Sequence, residues 1–268
     1  MSTRMTVQRL VALIEAGDVD AVDAAVTADP RLLSRTVERD GQDGWTPLHL
    51  AVHAGSVPLT RRLAAAGADL AARTEHGRTP VHTALQHAPD LVPVLRELGA
   101  PVDAATAAWT GEVDRLTAAL DDGAPLSDPR TGVDLLTWAA GGGSLDAVRL
   151  LLGRGADVDG GALQAAAHAG HVDVVELLLA AGARVDRRDP DTGQTALHGA
   201  VTAEPVTDRT AGVVRVLLAA GASPEAITAD GATALDIVQV RAARGRSEAA
   251  GSTGADELVE LLVAARTA

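Results

Sequence analysis

Eight histidines, thirty-six acidic residues and three tryptophans are the side chains through which this chain could do chemistry, and it has no cysteine. The lack of Cys removes disulfides, thiol nucleophiles and thiolate metal sites, and it fits a reducing, cytoplasmic setting. His53, His76, His87 and His168 stand beside no nucleophile or Asp/Glu pair and at no His-x-x-x-His spacing to one another. No catalytic residue, metal ligand set or cofactor is therefore assigned. The pair Asp121-Asp122 reads as turn chemistry, because nothing places a second carboxylate across a cleft from it. Gly141-Gly142-Gly143 lies between two helical segments and follows no strand, so it is not a phosphate loop.

The elements that must position these residues repeat along the chain. Asp43-Gly-Trp-Thr-Pro-Leu-His-Leu-Ala51 returns 33 residues later as Gly77-Arg-Thr-Pro-Val-His-Thr-Ala84, and again as Gly193-Gln-Thr-Ala-Leu-His-Gly-Ala200. Gly231 to Asp236 is a further copy, and Asp134 to Ala139 and Gly161 to Ala166 are degenerate ones. Each is followed by a second element, cleanest at Gly170-His-Val-Asp-Val-Val-Glu-Leu-Leu-Leu-Ala-Ala-Gly-Ala183. Thr46 and Thr79 can cap a helix, and Pro47 and Pro80 fall at its first position, where a missing N–H costs nothing. Gly67, Gly99, Gly123, Gly155, Gly182 and Gly221 each follow an apolar helix, where a left-handed cap favours glycine. Val174, Val175, Leu177, Leu178 and Leu179 are apolar over an arc too wide for an isolated helix, so neighbouring repeats must cover it.

The two linked motifs closely resemble the ankyrin repeat over nearly the whole chain. The resemblance implies an all-α repeat solenoid, an array of helix-turn-helix units with short β-hairpin-like fingers. One array is expected over 1–268: an N-terminal cap repeat at 1–42, about six repeats over 43–226, and a C-terminal cap repeat at 227–268 containing a mobile loop at 241–256. The terminal glycines are spaced 32, 24, 32, 27 and 39 residues apart. That irregularity predicts shortened fingers near Pro101–Ala105 and Asp159–Ala162, and an insertion at Thr202–Ala211. Pro93 is expected inside a second helix, kinking it.

In this family the first helices and finger tips line a concave face that usually carries the binding site. Mapped by position, that face includes Trp45, His53, Arg78, Gln86, His87, Trp109, Thr110 and His168. His49, His82 and His198 take the motif slot, where the imidazole serves structure. Trp45 and Trp109 are either binding anchors or packing residues, Trp45 over a neighbouring finger and Trp109 in the gap left by Ala104 and Ala105. Trp138 reads as structural. His53 and His87 lie on adjacent repeats, a placement from which they could bridge a zinc ion.

The expected function is a non-catalytic interaction module holding a protein or peptide on its concave face. A net charge of −13 opposes nucleic acid and anionic membranes and steers toward a basic partner. No apolar run is long enough to span a bilayer. A monomeric array is expected. Two other classes fit the same residues. One is a small-molecule binder or enzyme with a pocket in the degenerate middle, near Trp109, Trp138 and His168. The other is an acidic, immunity-type partner that neutralises a basic protein.

Overall fold

The structure is a computed structural model that describes residues 6–39, 41–127, 134–203, 206–247 and 253–267. The described residues fall into two compact units, one up to Thr106 and one from Ala107 onward.

The first unit holds α1 (Val7–Glu15), α2 (Val19–Ala28), a short 3-10 turn (Pro30–Ser34), β1 (Val37–Arg39), β2 (Gln42–Trp45), α3 (Pro47–His53), α4 (Val57–Ala65), α5 (Pro80–His87) and α6 (Leu91–Glu97). Helices this short are marginal alone, and stacking supplies what propensity cannot. First helices α1, α3 and α5 pack in one row, and second helices α2, α4 and α6 in another. In α3 every residue from Pro47 to Val52 is buried, because helices lie on both sides of it. Strands β1 and β2 pair antiparallel, with Val37 opposite Trp45. Gly44 in β2 is required sterically as well as by its φ of +90°: a Cβ there would lie 2.9 Å from the Thr74 and Glu75 backbone of the next finger.

The boundary between units falls inside α7 (Ala104–Thr110). The second unit continues with α8 (Val113–Asp121), α9 (Leu135–Gly141), α10 (Leu145–Gly153), α11 (Ala162–Ala169), α12 (Val172–Ala180), α13 (Ala196–Thr202), α14 (Asp208–Ala219), α15 (Ala234–Ser247) and α16 (Thr253–Thr267). Here α9, α11, α13 and α15 stack as one layer, with α8, α10, α12, α14 and α16 as the other. The bridges Ser127–Asp134 and Ile227–Thr233 pin two further fingers. The molecule is thus a helical repeat fold with hairpin fingers, and its core is aliphatic: Leu116, Leu136, Leu151 and Leu178 are fully buried in this unit.

Three expectations are corrected. Pro93 kinks nothing, because α6 begins at Leu91 and places Pro93 in the first turn, where N–H groups have no helical acceptor. The segment 241–256 is not one loop: α15 runs on to Ser247 and α16 starts at Thr253, with 248–252 outside the described residues. Its Arg and Ala residues are good helix formers, and Ala242 and Ala255 are buried. The insertion at Thr202–Ala211 is shorter as a loop than its sequence suggests, since α14 takes up Asp208 to Ala211. No helix among the described residues is long and apolar enough to cross a membrane.

Candidate functional site

Each first helix that carries Thr at its N-cap and His three residues later closes a capping box: Thr46 with His49, Thr79 with His82 and Thr195 with His198. The ring then reaches the next finger. His49 Nδ1 lies 2.8 Å from the Thr46 hydroxyl and accepts from the Thr46 N–H, while Nε2 is 3.1 Å from the Arg78 carbonyl. One acceptor and one donor define a neutral imidazole, and burial pushes the His49 pKa down from 6.5 to about 4. His198 repeats the pattern on the Ala232 carbonyl at 3.3 Å, and burial lowers its pKa too.

His82 finds a carboxylate instead, with Nε2 3.0 Å from Asp103 Oδ2. Burial works to raise the Asp103 pKa; hydrogen bonds from His82 and from the Thr106 N–H and hydroxyl outweigh it and hold Asp103 well below the usual carboxylate range. Asp103 was not anticipated as a partner of His82. Its signal was the Asp-x-x-Thr spacing at the start of α7, which reads as a helix cap.

On the first unit, five of the residues expected on the binding face come together. The Trp45 ring stands 5.5 Å from His53, edge-on, and His53 stands 4.5 Å from His87 on the adjacent first helix. Arg78 Nη1 donates to Gln86 Oε1 at 2.8 Å. Gln86 and His87 are exposed, and His53 and Arg78 half-buried. Trp45 differs from an exposed anchor: it is 4% accessible, with the Arg39 guanidinium 6.0 Å from its ring and His49 beneath. Strand β1 brings Arg39 there, so Trp45 is the floor of the cluster and not its surface.

On the second unit the remaining residues divide. Trp109 is half-buried and packs edge-to-face on buried Trp138, with ring centroids 6.0 Å apart. Thr110 donates its hydroxyl to Glu112 at 2.9 Å. His168 is exposed, with Nδ1 3.2 Å from the Gly199 carbonyl. Trp109, Trp138 and His168 do not line a cleft of about 330 Å³ on this unit, which lies between Gly143, Gly170, His171, Asp173 and Arg209. His171 there bonds the Gly141 carbonyl at 3.1 Å, and burial lowers its pKa. Among the described residues no group of three or more His, Asp or Glu side chains is placed to hold a metal ion.

Comparison with known proteins follows the repeat. A family model described as ankyrin repeats (3 copies) matches residues 10–106, 104–189 and 136–228. Over 130 residues the chain is 35% identical to the B-cell lymphoma 3 protein homolog of Mus musculus. That alignment covers 48% of this chain and 25% of the relative, so this chain spans about a quarter of that protein's length.

Proposed function

The chain belongs to the ankyrin-repeat family, and we propose that it is a non-catalytic interaction module that holds a protein or peptide on the concave face formed by first helices and finger tips. Ankyrin repeats in general mediate protein–protein interaction, which supports the class. The observation that carries the choice of surface is the alignment of His53, Gln86 and His87 at the last turns of adjacent first helices, with Arg78 bonded to Gln86. The second helices spend their apolar arcs on stacking, whereas these end-turn residues are held by the fold and still reach solvent. Trp45 supports them from below. A net charge of −13 steers a basic partner toward the protein in the cytoplasm and does not repel a neutral one.

The test uses the tagged full chain as bait in a lysate of its native host, beside a His53→Ala/His87→Ala variant with an unchanged melt. Alanine at Trp45 or Trp109 would confound the result by removing packing. A protein captured by the wild type and lost with the variant supports this face. A protein held equally by both moves the site elsewhere, and small molecules carried through purification in place of a protein favour a pocket.

A further inference from the structure

Arginines in this acidic chain are commonly matched by acids: Arg61 sits against Glu97, Arg154 against Asp121 and Arg215 against Glu257. Arg78 is not. Its guanidinium bonds a neutral amide, that of Gln86, and its Nε is buried with no acceptor among the described residues. Burial lowers its pKa. The residue is nonetheless held firmly, with its N–H 3.3 Å from the Thr74 hydroxyl and its carbonyl accepting from His49. A second buried donor, the indole N–H of Trp45, has no acceptor among the described residues, and the Trp45 ring stands edge-on to His49 at 6.0 Å.

Taking this face as the interaction surface, we propose that Arg78, steadied by Gln86, is the anchor for the carboxylate of an Asp or Glu side chain in an extended segment of the protein partner. Three arguments support that ligand chemistry. A half-buried guanidinium is a forked donor that suits a carboxylate, and charge-assisted bonds of this kind are about twice as strong as neutral ones. No internal ion pair has to be broken to free it, and its backbone is already ordered, so little is lost on binding. The overall negative charge acts at long range, but it is screened beyond roughly 8 Å at physiological salt. A single acid in an otherwise neutral or basic segment therefore meets the local field of Arg78, with His53 and His87 beside Gln86 as further polar contacts.

Random short peptides displayed on phage, selected on the immobilised full chain and in parallel on Arg78→Gln and Gln86→Ala, test this. The enriched peptides should share an Asp or Glu at one position. That preference should vanish with Arg78→Gln while the rest of the consensus survives. A soluble copy of the peptide with that acid changed to its amide should bind the wild type about tenfold or more weakly. Gln86→Ala alters an exposed side chain and leaves the core alone, so weakening of the same preference there separates recognition from misfolding. Enriched peptides with no acidic position, or an acidic preference that both variants keep, would overturn the carboxylate anchor and leave the interaction face standing. No enrichment on the wild type would overturn both.

Discussion

The carbonyl oxygen of Trp109 occupies the space that a side chain on Gly142 would need: a Cβ built on Gly142 would collide with it. Gly141 is constrained by a side chain instead, its Cβ falling 2.8 Å from the Trp109 ring edge, and a Cβ on Gly143 would meet the His171 ring at 2.6 Å. The glycine run is thus a packing floor for Trp109, backbone and ring, and for the His171 ring. Gly142→Ala should cost at least the upper part of the roughly 1–3 kcal/mol typical of overpacking, because backbone has to move. Gly141→Ala should cost less, and much of its cost should disappear in a Trp109→Leu background. A double-mutant cycle by chemical denaturation checks this; additive effects would mean that Trp109 does not rest on Gly141.

Acid should unfold the protein through its neutral histidines. His49 has a folded pKa of about 4 against 6.5 when exposed. Between those values the unfolded chain binds a proton that the folded chain refuses. Its contribution is complete above about pH 6.5 and is lost as pH falls toward 4, on the order of 3 kcal/mol in all. His171 and His198, also lowered by burial, act in the same direction. Asp103, lowered by its hydrogen bonds, keeps its contribution until the pH drops below its unfolded value of 3.8. Melting temperatures should fall from pH 7 to pH 4.5, less steeply in His49→Gln. A flat profile over that range would contradict the neutral histidine.

Removing the Asp103 carboxylate takes away the cap of α7 and the partner of His82 together. Asp103→Ala should destabilise by about 1–3 kcal/mol, since Asp103 is one-third exposed and solvent screens part of the effect. Urea titration checks it, and an unchanged midpoint would mean that water replaces the carboxylate without cost.

Leu178 tests the stacking itself. It is fully buried in α12, which packs between α10 and α14. Leu178→Ala should cost about 2–5 kcal/mol through the cavity it leaves. A melt with an unchanged midpoint would count against burial from both sides.

Much of this architecture was legible in the residues because its rules are local. Thr46, Pro47 and His49 start a helix within one turn, and the glycines that end the second helices do so through their own dihedral angles. The site was legible in part. Positions on a first helix follow from the repeat, so His53, Gln86 and His87 could be placed in advance. What Trp45 touches could not, because strand β1 and Arg39 reach it only through tertiary pairing. The Arg78–Gln86 bond likewise joins a finger to the far end of α5, eight residues on. Pro93 was misread because the start of α6 at Leu91 carries no Ser or Thr cap to mark it.

The most direct test of the central claim compares two faces of one repeat inside native cells. A benzophenone side chain is installed at His87, at the end of first helix α5, and in a separate protein at Glu97 on second helix α6; both positions are exposed. Photolysis should give a discrete protein adduct from position 87 and none from position 97. An adduct from 97 alone, or from neither, would contradict an interaction face built on the first helices.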